Sequence, residues 1–206
     1  MGRTNAGEWW IAVSTGSAFT NQLWGVWSTG VTWSDVQAAD FSGDGKTDIV
    51  GRTNAGEWWL GVSTGSAFTN QLWGVWSTGV TWSDVIAADF TGDGKADIAG
   101  RPIAGEWWLG VSTGSAFTNQ LWGVWSTGVT WSDVMAGDFN GDGKFDLIGR
   151  TNTGDWWAGV SSGSAFVNDY VGTWSTAVTW DDLRVLDVDN DGDDDILGNI
   201  LGSDAW

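Results

Sequence analysis

The 206-residue chain has no cysteine and no histidine, and only one proline (Pro102) and one tyrosine (Tyr170). Without cysteine there is neither a disulfide framework nor thiol chemistry. Without histidine the commonest general base and the commonest metal ligand are both missing, so any site must be built from carboxylates, amides, hydroxyls and backbone oxygens. Positive charge is scarce too, with eight Lys and Arg against 26 Asp and Glu and a formal net charge of −18. So few cations cannot neutralise a phosphate backbone, and no nucleic-acid partner is expected. No apolar run approaches the roughly 20 residues of a spanning helix, so no membrane insertion is expected either. The opening MGRTNAGEWW lacks the basic start and apolar stretch of a signal peptide, and none is expected in this chain.

Tryptophan and glycine are abundant, at 20 and 32 residues, and both follow from repetition. Residues 2–50, 51–99, 100–148 and 149–197 are successive copies of one 49-residue unit, and the first two copies differ at only six positions. A fixed period of this length means one supersecondary unit, stacked in a row or closed in a ring. The chain is therefore read as a single unit over 1–206 rather than as separate domains.

Four stretches around the second copy read as β: Thr47–Arg52, Gly56–Ser63, Ala67–Ser77 and Val80–Phe90. They are short, aromatic and β-branched, and clusters of Gly, Ser, Thr and Asn bound them. None keeps helical periodicity long enough for a helix. Four strands in 49 residues is the arithmetic of a β-propeller blade. Adjacent strand residues point to opposite faces, so Trp58 and Trp59 must serve both sides of one sheet. Most of the tryptophans are thus expected in the core, each removing about 150–250 Å² from water.

The first copy has no equivalent of Thr47–Val50 before Gly2, whereas residues 195–206 repeat that missing strand and the start of the next. Pairing the two ends would close a ring and leave no sheet edge open. Four blades in one ring demand a right angle between neighbours. The expected form is therefore an eight-bladed ring from two chains, a homodimer in which each chain donates its C-terminal strand.

Of the 26 acidic residues, 15 lie in four register-equivalent loops. The first, DFSGDGKTD, offers Asp40, Ser42, Asp44, the backbone of Lys46, and Asp48 at alternate positions. The others offer Asp89, Thr91, Asp93, Lys95 and Asp97; Asp138, Asn140, Asp142, Lys144 and Asp146; and Asp187, Asp189, Asp191, Asp193 and Asp195. Hard cations take six to eight oxygens, and a tight loop can turn alternate residues inward to supply them. Gly43 and Gly45 permit that turn. Crowded carboxylates repel one another unless neutralised. The expected ion is a structural Ca²⁺, about one per repeat. An EF-hand is excluded because position 12 is Gly51, Gly100 or Gly149 instead of Glu.

The runs DFSGDGKTDIV, DFTGDGKADIA and DFNGDGKFDLI, each followed by Gly-Arg and then GEWW or GDWW, resemble the FG-GAP or VCBS repeats of integrin-alpha-type propellers. The resemblance covers essentially the whole chain. It implies a β-propeller with one Ca²⁺ per blade, in a secreted or cell-surface setting. Some members of that family are lectins and many are adhesion or scaffold modules.

For function, the expectation is a non-catalytic binding or scaffold module, with carbohydrate as the expected ligand. The segment NQLWGVW sets amides beside an aromatic ring three times, as Gln22 with Trp24, Gln71 with Trp73, and Gln120 with Trp122. If exposed, these would make repeated weak sites whose affinities add; if buried, they are packing between blades. The alternative is a purely structural or deliberately repeated propeller with no natural ligand. A glycosidase using Glu8, Glu57, Glu106 and Asp155 with Asp35, Asp84, Asp133 and Asp182 is disfavoured, because active sites are seldom copied around a ring.

Overall fold

The computed structural model describes residues 1–202, so the last part of the expected closing strand, 203–206, lies outside them. Among the described residues every regular element is a strand. A three-stranded sheet comes first: β1 (Gly2–Arg3), β2 (Glu8–Ser14) and β3 (Phe19–Val26). Three complete four-stranded antiparallel sheets follow. They are β4 (Trp33–Ala39), β5 (Asp48–Thr53), β6 (Glu57–Ser63) and β7 (Phe68–Val75); β8 (Trp82–Ala88), β9 (Asp97–Pro102), β10 (Glu106–Ser112) and β11 (Phe117–Val124); and β12 (Trp131–Gly137), β13 (Asp146–Thr151), β14 (Asp155–Ser161) and β15 (Phe166–Thr173). The pair β16 (Trp180–Leu186) and β17 (Asp195–Ile200) comes last. Repeated four-stranded antiparallel sheets of this kind are consistent with propeller blades. Among the described residues no strand pairing joins the first sheet to the last.

The four strands per unit fall where the sequence places them, with one shift of frame. The acidic loop is a hairpin within a sheet, so the strand before it opens the sheet that the next copy completes: β4 pairs with β5. The fourth strand, β7, stops at Val75 because the Trp76 N–H turns away to the Gly56 carbonyl, at 2.8 Å.

Both faces of the third strand are packed. In β6, Trp58 and Leu60 are buried on one side and Gly61 and Ser63 on the other. Opposite Trp58 and Trp59 the neighbouring strand β7 bulges at Trp73, and the second indole of the pair, Trp59, is half-buried. The first strand carries a bulge as well, with Asp35, Asp84, Asp133 and Asp182 at φ of 50–53°. In the first three it aims the carboxylate at an arginine on the neighbouring strand, while Asp182 meets Arg184 of its own strand. Arg52 meets Asp35, Arg101 meets Asp84 and Arg150 meets Asp133, each at 2.6 Å, while the guanidinium lies 5.7–5.8 Å from the Trp58, Trp107 or Trp156 ring. These pairs are largely shielded from water, so they outweigh ordinary surface ion pairs.

Sheet is joined to sheet at three levels. On the outer strands, the Trp76 indole N–H donates to Asn119 Oδ1 at 2.9 Å, and Asn119 Nδ2 returns to the Val75 carbonyl at 3.0 Å. Trp27 and Asn70 do the same one unit earlier. On the first strands, Gln37 reaches from β4 to β8, donating to the Val85 carbonyl at 2.8 Å and accepting from the Ala87 N–H at 2.6 Å. Between the acidic loops, the Asp40 carbonyl accepts from Ala96, Asp89 from Phe145 and Asp138 from Asp194, at 2.7–2.9 Å. Phe41 and Phe90 fill the gaps between these levels, edge-on to Phe117 and Phe166.

The crossover tryptophans fit only because glycine faces them. A methyl group on Gly100 would stand 2.6 Å from Trp76 Cζ3, and Gly51 and Gly149 are as tightly held by Trp27 and Trp125. Gly100→Ala is therefore expected to lower stability by about 1–3 kcal/mol. Gly2→Ala, which meets nothing within 4 Å, should change it little. Urea unfolding of the two variants checks the contrast.

Candidate cation loops and aromatic hollows

In the first acidic loop the two end carboxylates hold the backbone. Asp40 accepts the N–H groups of Gly43 and Gly45 at 2.7 Å and of Asp44 at 3.2 Å, and the Ser42 hydroxyl also donates to it. Asp48 is fully buried and accepts from Phe41, Ser42 and, across the sheet, Ser63 at 2.7 Å. Asp44 points outward to the Lys46 ammonium, 2.6 Å away, which holds its carboxyl below the usual range. The second loop repeats this arrangement. Asp89 takes Thr91, Gly92, Asp93 and Gly94, Asp93 meets Lys95, and Asp97 takes Phe90, Thr91 and Ser112. In the third, Asp138 takes Asp142 and Gly143, Asn140 takes Asp142, Asp142 meets Lys144, and Asp146 takes Phe139 and Ser161.

The fourth loop departs from the others. Asp193 stands where the lysines stand, so no ammonium lies against Asp191, which accepts the Asp193 N–H. Here the oxygens of Asp187, Asp189 and Asp195 come within 4.8 Å of one another, the only such group of acidic side chains among the described residues. Asp187 accepts from Asn190 and Gly192, Asp189 from Asp191, and Asp195 from Val188. Asp194 accepts the Asp138 N–H and so ties the fourth loop to the third.

The donor set is all oxygen, the glycines have the φ a tight loop needs, and burial makes ionised Asp97 and Asp146 costly. Burial, with the charges of Asp89 and Asp93 added, pushes Asp97 up to about 7; burial does the same to Asp146, to about 6. Burial also raises Asp48. These groups fit a hard cation, which would favour the ionised forms, and Asp44, Asp93 and Asp142 would have to leave their lysines to join it.

The motif tryptophans are mainly packing groups. Trp73 and Trp122 are buried edge-on against Phe117 and Phe166, and Trp24 is half-buried against Phe68. Their indole N–H groups donate to the exposed Gln71, Gln120 and Gln22 at 3.1–3.2 Å. A row of exposed aromatics is therefore not what this segment presents; of each glutamine–tryptophan pair only the glutamine is exposed. Two further sets of repeated carboxylates also have partners within the fold. Glu8, Glu57 and Glu106 accept the N–H of Trp10, Trp59 and Trp108, and Asp155 takes Thr153 and Thr173. The Asp35 set holds arginines.

What the sequence reading missed is a second repeated feature. Three hollows of about 280, 290 and 310 Å³ open beside the crossovers. The first is lined by Trp27, Trp33, Trp59, Glu57 and Asn70 among others, the second by Trp76, Trp82, Trp108, Glu106 and Asn119. The 49-residue period was the available signal, since every lining position recurs in it.

These features define an all-β repeat protein in which the three complete blade-like sheets and the final strand pair each carry an acidic hairpin loop. The family model for the FG-GAP repeat matches residues 130–167, which run from β12 through the third acidic loop into β15. The chain thus carries the FG-GAP repeat that its motifs resemble. No curated protein matches the chain.

In the absence of a bound cation, the folded chain keeps protons on Asp97 and Asp146 that the unfolded chain, with ordinary values near 3.8, has released. Stability in a chelator should therefore be greatest near pH 4 and fall as pH rises through about 6 and 7. Adding the cation at pH 7 should reverse the loss. Denaturant titrations at pH 4, 5.5 and 7 measure this, and stability that climbs over that window in chelator would contradict it.

Proposed function

We propose that the chain is a calcium-stabilised β-propeller module that binds or scaffolds without catalysis, in a secreted or cell-surface setting. The observation that carries the reading is that the repeated acids outside the loops, which a glycosidase would need, already serve indoles, arginines and hydroxyls. The remaining repeated carboxylates are confined to the hairpin loops, where Ca²⁺ is the cation that their number and softness of geometry suit.

The same reading makes the working form a ring shared by two copies. A hollow of about 440 Å³ between the first sheet and the second is lined by Met1, Ile11, Trp24, Ile49 and Phe68 among others. Shifted by one period these are Val50, Leu60, Trp73, Ile98 and Phe117, which pack with Phe41 into a closed core. The positions that correspond to Phe41 and Val50 at the other end of the chain are Val188 and Leu197, both about half exposed. A second copy brings them into the hollow when its β17 replaces β1 on β2. Ser63 would then give its hydroxyl to the partner's Val188 carbonyl, as Ser112 gives its own to Phe41 and Ser161 to Phe90 at 2.6–2.7 Å.

With Trp73 and Trp122 buried, the NQLWGVW segment supports the scaffold side of this reading over carbohydrate, for which only exposed Gln22, Gln71 and Gln120 and half-buried Trp24 are left. Light scattering with and without EDTA tests the assembly. Twice the 22.0 kDa chain mass in Ca²⁺, lost on chelation, is the expected result. Leu197→Asp should yield a folded monomer even in Ca²⁺. A wild-type monomer indifferent to EDTA would overturn both the calcium role and the shared ring.

A further inference from the structure

The repeated hollows are unusual in what they offer a ligand. In the first, the three lining indoles already give their N–H groups to the protein: Trp27 to Asn70 at 3.0 Å, Trp33 to the Ser28 carbonyl at 2.9 Å, and Trp59 to Glu57 Oε2 at 3.1 Å. The second repeats this with Trp76, Trp82 and Trp108, the last on Glu106 Oε2 at 3.2 Å. No Lys or Arg is among the residues lining either hollow. A sugar needs donors as well as acceptors around its hydroxyls, and an anion needs cations. An anion finds no cation here, and a sugar finds few donors, the hydroxyls of Ser28 and Thr53 in the first hollow and of Ser77 in the second.

What remains is aromatic surface with one carboxylate oxygen left over, in a protein of net charge −18. Such a surface attracts a cation that is large, weakly hydrated and without N–H groups to satisfy. An indole draws it through the ring quadrupole, and a carboxylate adds Coulomb attraction in a partly desolvated setting. At about 280–290 Å³ each, the hollows lie just below the smallest common ligand sites, which fits a small head group and not an extended chain.

We propose that the hollows at Glu57 and Glu106 bind a small, soluble quaternary ammonium cation of the choline type. The inference rests on the binding-module reading but not on calcium or on the shared ring. The third hollow, about 310 Å³, provides an internal comparison. Its acid is the shorter Asp155, whose two oxygens are taken by Thr173 at 2.7 Å and Thr153 at 2.8 Å. It should bind more weakly, so each chain should show two equivalent sites.

The test follows the indole N–H signals of the native chain by NMR as choline, tetramethylammonium or the neutral isostere 3,3-dimethylbutanol is added. Choline and tetramethylammonium should shift the Trp59 and Trp108 signals, with the isostere at least about tenfold weaker. Glu57→Gln with Glu106→Gln keeps an oxygen for each indole and should weaken choline by about tenfold. Equal binding of the isostere, no shift with any of the three, or a shift produced by glucose and not by choline would each overturn the proposal. Mass and EDTA response in the same samples report separately on the calcium ring, so failure of one reading is not mistaken for failure of the other.

Discussion

Each sheet depends on the tryptophan that follows its last strand. Trp76 lies edge-on to Trp58 of its own sheet at 5.2 Å and tilted over Trp82 of the next at 4.3 Å. Its ring covers Gly100, and its N–H is tied to Asn119. One side chain thus fixes the distance between two sheets, the path of the crossover and the position of the outer strand. Interiors are packed as closely as crystals, so a flat ring of this size leaves little freedom in the angle between neighbours. The hollows arise beside these same indoles.

The acidic loops stand at the opposite end of the design logic. Apolar packing holds the sheets, while the loops gather charge that the packing alone would not tolerate. Nine-residue hairpins manage this by folding each end carboxylate around backbone N–H groups, which satisfies those donors and concentrates negative charge at once. The lysine of the first three loops offsets part of that charge. In the fourth, aspartate replaces it, and three carboxylates converge where the others have two and a hydroxyl or amide.

Much of this was legible in the sequence. The period gave the sheets, the doubled tryptophan gave a strand packed on both faces, and Asp-Gly spacing located the loops. The frame of the sheet was not legible, because a turn at Thr78–Thr81 and a loop at Asp89–Asp97 both read as breaks, and only pairing tells a crossover from a hairpin. Nor could the sequence tell Trp73 from Trp59, since alternation assigns a face but a bulge can move it. The Asp35–Arg52 pair lay hidden for the same reason: the residues are 17 apart and meet only through a backbone bend at positive φ.

Gln37 has a consequence for assembly. With copies so alike, a strand that slipped by a whole unit would find nearly the same neighbours, as a misprinted page finds its place in a book of identical pages. At the positions equivalent to Gln37 stand Ile86, Met135 and Arg184, and only the glutamine both donates to Val85 and accepts from Ala87. A register that set Ile86, Met135 or Arg184 in its place beside Val85 and Ala87 would lose both of these bonds. One side chain therefore serves as an address, marking which copy is first in an otherwise degenerate polymer.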